Sequence, residues 1–314
     1  MKKIDMHCDT FLRIHNNKNV GLRRNNLHVD IQKLEKSNSI AQFFALYFDY
    51  DKINPTDYLN EFSSMVDTFY KELEKNSDKI RLAVNKFDLE KNIKDDIISA
   101  FLAIEEGGIL GNKLYNLRNA YRLGVRLITL TWNYPNYIGF PNNKYEYRNK
   151  GLTEYGKIFI EEMNNLGMII DISHLSDKGF FDVCKLSKDP FIASHSNSRS
   201  IKNHFRNLSD DSIKKLANKG GIIGINFCSE FLGDSNISKI KDMITHIKHI
   251  KSIGGIDVLA LGSDFDGISS KLEIENAGKT HKLVEQLYKS GFKENEIEKI
   301  FYKNAQRLIK DVIK

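Results

Sequence analysis

The amino-acid sequence predicts an α/β fold whose parallel β-sheet closes into a barrel. Three observations support this prediction: short apolar runs recur along the 314 residues, segments with a helical period separate them, and no Pro- or Ser-rich linker interrupts the alternation. Alternating strands and helices are typical of βαβ units, in which the strands are parallel. The missing linker favours a single domain over residues 1–314.

Nine apolar runs have the character of strands, close to the eight strands of a closed barrel. In chain order they cover residues 4–9, 41–48, 80–84, 99–105, 125–131, 168–174, 191–195, 222–227 and 258–264. Parallel neighbours need a long crossover connection, which is usually a helix. The segments between these runs are therefore expected to be helical.

Two of the intervening helices can be assigned in detail. Apolar residues over positions 236–253 recur at helical spacing and form one stripe, which predicts a helix with one buried face. His246 and His249 fall on the opposite, polar face, and we expect no functional role for either. Ser209 is a suitable N-cap for a helix over 210–218, because acidic residues occupy its first turn.

Composition and charge exclude several classes of protein. Hydrophobic residues make up 41% of the chain and charged residues 28%, which is enough for a large core and argues against disorder. The net charge of +6 comes from lysines interspersed with acids, without the basic cluster of a nucleic-acid-binding protein. No apolar run reaches the ~18 residues of a membrane span. We therefore expect neither nucleic acid nor a membrane as a partner.

The cysteines and the first residues indicate the cellular compartment. Cys8, Cys184 and Cys228 are odd in number, far apart and without a CxxC pair, so we expect free thiols and no zinc ribbon. Asp5 and Asp9 lie where a signal peptide would have its apolar region. A cytoplasmic location is therefore expected.

Side chains that can bind metal ions lie at the C-terminal ends of five predicted strands. His7 and Asp9 end the first strand and share a face, because strand side chains alternate. The other strands end in Glu105, His174, His195 and Asp264. In a parallel barrel these ends lie at one rim, so the six side chains are expected to converge.

The donor types at these strand ends indicate a metal centre. Imidazole and carboxylate groups without thiolate suit zinc or another first-row dication held for hydrolysis. Three imidazoles with two or three carboxylates exceed the needs of one four-coordinate ion, so we expect two ions about 3.5–4 Å apart, with one carboxylate able to bridge them. A single strand-end histidine more often forms ordinary hydrogen bonds, and only the coincidence of all these ends favours metal binding.

One long irregular stretch, residues 134–147, contains two prolines and several asparagines and aromatic residues. Loops that follow barrel strands lie at the catalytic face. The stretch is therefore either a packed surface loop or a partial lid over a pocket.

At these residues the sequence resembles the membrane dipeptidase (renal dipeptidase) family of zinc metallopeptidases, within the amidohydrolase-like superfamily. The matching segments follow the family's order and are residues 4–9, 104–108, 124–131, 171–174, 194–196, 206–207 and 262–267. The resemblance implies a (β/α)8 TIM barrel of the metal-dependent hydrolase type with two Zn²⁺ per chain. It also allows for a homodimer.

The resemblance further implies the metal ligands. They are His7 and Asp9 on the first ion, His174 and His195 on the second ion, and Glu105 as the bridge. Glu105 and Glu106 compete for the bridging role. We prefer Glu105 because it directly ends the strand and because its spacing to Thr129 then fits the family without a gap.

Substrate-binding and proton-transfer roles are implied in the same way. Arg206 matches the arginine that binds the terminal carboxylate of the substrate, and Asp264 matches the aspartate that handles protons. The best-known members of the family have a histidine, thought to steady the oxyanion, where this chain has Trp132. Either Trp132 takes over weakly, or Asn133 or Tyr134 substitutes, or the ions alone hold the oxyanion.

Together these residues predict a zinc-dependent dipeptidase that cleaves short peptides, including those with a D-residue at the C-terminus. A hydroxide that bridges the ions would attack the peptide carbonyl, and Asp264 would transfer the proton. Two alternatives stay open. Another hydrolase of the superfamily, such as a deaminase, lactonase or phosphotriesterase-like enzyme, usually has His-x-His and a carboxylated lysine where this chain has His7-x-Asp9 and Glu105. A catalytically impaired binding protein is supported by Trp132 alone.

Overall fold

The computed structural model describes residues 1–314 and contains eleven strands, all of which pair in parallel. In chain order they are β1 (Lys3–Asp5), β2 (Ser39–Tyr47), β3 (Ile80–Leu82), β4 (Ile98–Glu105), β5 (Val125–Thr129), β6 (Ile169–Asp171), β7 (Ile192–Ala193), β8 (Ile222–Ile225), β9 (Ile237–Ser238), β10 (Leu259–Leu261) and β11 (Lys271–Leu272).

Eight of these strands form a closed ring in the order β1-β2-β4-β5-β6-β7-β8-β10, and the pairing of Asp5 with Leu261 closes it. The predicted (β/α)8 barrel is therefore confirmed. The third predicted run, residues 80–84, forms β3 but lies outside the ring, because β3 pairs only with the first residues of β4. The strands β9 and β11 form a separate small sheet.

Helices surround the ring. They are α1 (Thr10–Asn16), α2 (Ile31–Lys36), α3 (Tyr58–Lys75), α4 (Lys86–Lys94), α5 (Leu114–Arg122), α6 (Glu154–Leu166), α7 (Asp177–Leu186), α8 (Asp210–Asn218), α9 (Ser229–Leu232), α10 (Ile240–Gly254), α11 (His281–Lys289), α12 (Glu294–Glu298) and α13 (Asn304–Val312). A π-helical turn, Lys299–Lys303, precedes α13. None of the helices combines the length and the apolar character that crossing a lipid bilayer requires.

The two helices assigned from sequence differ in outcome. Helix α8 has the predicted bounds, and the side chain of Ser209 caps it by accepting a hydrogen bond from the Ser212 amide. Helix α10 starts later than predicted, because Ile237–Ser238 pair with β11.

The assignment of His246 to the polar face of α10 is wrong. Its ring is fully buried, accepts a hydrogen bond from the Ser198 amide at Nδ1 (3.0 Å) and contacts the Leu232 carbonyl through Nε2 (3.0 Å).

The C-terminal helix closes one end of the ring. Alternate residues of the ring strands, including Phe43, Phe101 and Leu127, form a buried cluster with one face of α13. The rings of Phe43 and Phe101 stack at a centroid distance of 4.6 Å. The same cluster contains Ile169 and other residues at the starts of strands. Helix α13 therefore covers the N-terminal end of the barrel and leaves the opposite rim for the functional site.

The ring also depends on close backbone contact between strands. A Cβ atom at Gly224 of β8 would lie 1.9 Å from the carbonyl oxygen of Ser194, so no larger residue fits without moving a strand. We predict that Gly224→Ala lowers the free energy of unfolding by about 1–3 kcal/mol through overpacking, measured by urea denaturation. Gly139→Ala is the control, because its Cβ would meet its nearest neighbour at an ordinary 3.4 Å. An equal loss in both variants would contradict this account.

Candidate metal centre

The C-terminal rim of the barrel collects six buried titratable side chains. The structure brings together all six that the sequence placed at strand ends: His7, Asp9, Glu105, His174, His195 and Asp264. None is more than 8% exposed. Each lies on the last residue of a ring strand or in the few residues that follow, so the parallel direction of the strands is what brings them together.

Glu105 occupies the centre of this group. Its Oε2 lies 3.6 Å from Nε2 of His7, whereas its Oε1 lies 3.2 Å from Nε2 of His174 and 3.3 Å from Nε2 of His195. The two oxygens of one carboxylate therefore face two different sets of imidazoles. On the His7 side, Nε2 lies 3.3 Å from Asp9 Oδ2 and 3.9 Å from Asp264 Oδ1.

A hydrogen-bond network behind the site orients His195. The Asp171 carboxylate accepts hydrogen bonds at Oδ2 from the hydroxyls of Thr129 and Ser194, both at 2.6 Å. Because the single hydroxyl proton of Ser194 is used there, its Oγ accepts from Nδ1 of His195 at 2.7 Å. The proton of neutral His195 is therefore on Nδ1, and Nε2 directs a free lone pair at Glu105 and His174.

The same logic applies to His174. Its Nδ1 lies 3.3 Å from Oδ1 of Asn133, an acceptor that places the imidazole proton on Nδ1. The Nε2 atoms of His174 and His195 then face each other at 3.0 Å, each with a lone pair and no proton between them. Two such lone pairs repel unless a cation lies near both. This arrangement fits a metal ion.

Unpartnered polar atoms give a second indication. Both ring nitrogens of His7 and Oδ1 of Asp9 are buried without a hydrogen-bond partner. Such atoms are costly in a protein interior unless a ligand or ion satisfies them. Donor atoms of His7, Glu105 and His195 lie within 4.8 Å of one another, as do those of His7, Asp9 and Asp264. The residues of the rim therefore fit a metal site.

The electrostatics of the rim favour positive charge. Burial opposes the charged form of His7, yet Glu105 and Asp9 outweigh burial and raise the His7 pKa well above its usual range. Burial and the neighbouring carboxylates raise the pKa of Asp9, and burial raises that of Asp264 to about 6. Burial and Arg206 lower the pKa of His174 to about 4, which keeps its imidazole neutral. The site attracts a cation and offers neutral imidazole to bind it.

A cavity of about 570 Å³ opens onto this cluster. Arg206 lines it and is only 3% exposed, and its Nη2 donates to the His195 carbonyl (3.3 Å). Its Nε and Nη1 have no partner. Asp264 also lines the cavity, with Oδ2 accepting a hydrogen bond from Asn226 (2.8 Å). A buried guanidinium with free donors is suited to bind a carboxylate.

The segment after β5 forms one wall of the cavity. Trp132 and Asn133 line it, and the Trp132 ring packs edge-on against Tyr47 at a centroid distance of 4.9 Å. Tyr134 does not line the cavity and lies beside Trp132 at 5.9 Å. Farther along, Asn143 lines the cavity and donates to the Asn133 carbonyl (2.6 Å). The stretch 134–147 is thus both packed against the barrel and part of the cavity wall.

Glu106 is turned away from the cluster. Its backbone adopts a φ of 89°, and its carboxylate accepts hydrogen bonds from the amides of Gly108 and Trp132, each at 2.8 Å, and from the side chain of Asn136. Burial raises its pKa to about 7. Of the two adjacent glutamates, only Glu105 lies among the imidazoles.

Sequence reasoning missed several residues that shape the site. Tyr47 ends β2 and Asn226 follows β8, so both lie at strand ends that meet at the rim, but neither has a side chain typical of a metal ligand. Asp171 and Ser194 act behind the site. Both could have been identified from their position at or just after a strand end, within three residues of a predicted histidine.

Comparisons with known proteins agree with this geometry. Dipeptidase tcpJ of Claviceps purpurea is 30% identical over 300 residues, which is 91% of this chain and 69% of that protein. An uncharacterised protein from the pqqA 5′ region of Klebsiella pneumoniae is 31% identical over 245 residues, covering 74% of this chain and 89% of that protein.

Two crystal structures share the fold over the full length. Dipeptidase AC, a metallopeptidase of family M19, superposes with a TM-score of 0.93 at 24% identity and covers 100% of this chain and 99% of its own. A metallopeptidase from Rhodobacter sphaeroides has a TM-score of 0.92 at 23% identity and covers 99% of both chains. The sequence profile of the membrane dipeptidase family matches residues 1–314. With its barrel, its rim of imidazoles and carboxylates and this match, the chain belongs to the membrane dipeptidase family of metallopeptidases, peptidase family M19.

Proposed function

We propose that this protein is a zinc-dependent dipeptidase with two Zn²⁺ per chain. The observation that carries the proposal is the position of Glu105, whose two oxygens face different imidazoles in a cavity that also contains the unpartnered donors of Arg206. We further propose that residues 1–314 act as one domain. The cytoplasmic location expected from the cysteines stays a prediction.

The proposed ligands divide between the two sides of Glu105. His7 and Asp9 would hold one ion, His174 and His195 the other, and Glu105 would bridge them. When bound, a pair of divalent ions activates water as a nucleophile and polarises the peptide carbonyl. The network through Asp171 and Ser194 keeps His195 in the tautomer that ligation needs.

Two residues of the chain would act directly on the substrate. Arg206 would bind the terminal carboxylate and so fix the scissile bond relative to the rim. Asp264 would accept the proton of the attacking water and deliver it to the leaving amine. Asn226 holds one oxygen of Asp264 and leaves the other, Oδ1, directed toward His7.

The dimensions and charge of the cavity support short peptides as substrates. A volume of about 570 Å³ with a carboxylate-binding arginine close to the cluster leaves room for few residues. The fungal relative is named a dipeptidase, and the bacterial structure was solved with a phosphinate mimic of the dipeptide L-Ala-D-Ala. The tetrahedral phosphorus of such a mimic stands in for the carbon attacked by water. We therefore include dipeptides with a C-terminal D-residue among the proposed substrates.

Metal dependence is the first test. We expect a chelator to abolish hydrolysis of L-Ala-D-Ala and L-Ala-L-Ala, and Zn²⁺ to restore it. His195→Ala should retain less zinc by mass spectrometry or atomic absorption and lose at least ~100-fold in kcat/KM, since even outer-shell changes cost about 10- to 100-fold. His249→Ala, at a residue that pairs with Asp210 outside the cavity, is the matched control. Full activity in the chelated, metal-free protein would refute the proposal.

Arg206 is tested by pairing a variant with a modified substrate. Arg206→Gln should raise KM for a dipeptide about 10- to 100-fold, because charged hydrogen bonds contribute about 1.5–3 kcal/mol. A dipeptide amide lacks the carboxylate and should be cleaved similarly by both proteins. If the variant lost as much activity on the amide as on the free acid, carboxylate recognition would be the wrong role. Thermal unfolding checks that the variant stays folded.

Asp264 is tested by an isosteric change. Asp264→Asn should lower kcat about 10²- to 10⁴-fold, as expected for the loss of a general base, with little change in KM or zinc content. The base form is lost as pH falls, so the wild-type profile should have an acid limb at or below about pH 6, because bound cations lower the pKa further. The residual activity of the variant should lack that limb. Unchanged kcat would exclude the proton-transfer role.

A further inference from the structure

Glu106 combines two features that are unfavourable in isolation. Its φ of 89° lies in a region that L-residues with a side chain rarely adopt. Its carboxylate is fully buried, and no Lys or Arg forms an ion pair with it. A glycine would adopt this backbone without strain. The strain at Glu106 must therefore be offset by the contacts that its side chain makes.

The partners of that side chain all belong to the segments that follow β4 and β5. Oε2 accepts a hydrogen bond from the Trp132 amide at 2.8 Å. Oε1 accepts from the Gly108 amide at 2.8 Å and from the side chain of Asn136. Asn136 in turn donates to the Leu130 carbonyl (2.8 Å) and accepts from the Ile138 amide (2.7 Å). One carboxylate thus joins the end of β4 to the segment after β5.

That segment carries two groups of the site. Trp132 forms part of the cavity wall, with its ring against Tyr47 and 6.1 Å from that of His174. The next residue, Asn133, contacts Nδ1 of His174. Glu106 itself does not line the cavity.

Building on the proposed function, we propose that Glu106 is a positioning residue whose buried carboxylate holds the Trp132 wall and, through Asn133, the orientation of His174. Glu106 replaces the strand pairing that the chain loses where β4 and β5 end. Its contribution to hydrolysis is indirect, because it sets where a substrate meets the wall and how His174 faces the rim.

The chain offers a direct readout, because Trp132 is its only tryptophan. In the metal-loaded full-length protein, Glu106→Gly should shift the fluorescence emission to longer wavelength and increase quenching by acrylamide. Glu106→Gln should do the same, because the Oε1 acceptor is kept while an amide NH₂ faces the Trp132 amide. With the fold checked by circular dichroism, we expect kcat/KM to fall about 10- to 100-fold. Glu146→Gln, at an exposed residue of the same segment, should match the parent protein.

The two variants guard against failure to fold. Glycine suits the observed φ, so Glu106→Gly should fold. If Glu106→Gly does not fold, the fluorescence emission of Glu106→Gln tests the proposal. Parental emission and quenching in every folded variant would overturn the proposal. A parent protein that binds zinc and cleaves no dipeptide would remove the proposed function instead, and the fluorescence comparison would still show whether Glu106 holds Trp132.

Discussion

Burial of negative charge at one rim is the constraint on which the functional part of this barrel depends. Asp9, Glu105 and Asp264 are all buried within a few ångströms of His7, and Arg206 is the fixed cation that lines their cavity. Carboxylates in a low-dielectric interior require compensating positive charge. The large core of the barrel supplies the stability that keeps these groups together, and bound cations would relieve their repulsion.

The same Asp–Ser hydrogen-bond pattern occurs twice at the rim and fixes neighbouring strand ends relative to each other. Asp171 accepts hydrogen bonds from the Ser194 amide (2.8 Å) and hydroxyl (2.6 Å), which ties the end of β6 to β7. On the other side of the ring, Asp5 accepts from the Ser263 amide (2.9 Å) and hydroxyl (2.6 Å), which ties β1 to β10. Each pair contains a residue within three positions of a proposed metal ligand. The backbone at the ends of these strands is thereby fixed where regular pairing stops.

Periodicity and strand-end logic were enough to predict the ring, helix α8 and the convergence of His7, Glu105 and the other rim residues, because these follow from patterns along the chain. Contacts between distant loops were not predictable in this way. His246 was assigned to a polar face since the sequence does not show that Ser198 and Leu232 cover it. The strand end favoured Glu105 over Glu106, but the sequence does not show the left-handed backbone or the Trp132 amide that turn Glu106 away from the rim.

Helix α13 limits how small molecules can enter and leave the cavity. Because it seals the N-terminal end of the ring with Leu308, Ile309 and Val312, the cavity has no passage through the barrel axis. Substrate and products must therefore use the same opening, and under the proposed function the fragment held by Arg206 would have to leave before another substrate binds. Under the proposed role of Arg206, free amino acids in the surroundings would compete with the substrate for its guanidinium and slow turnover.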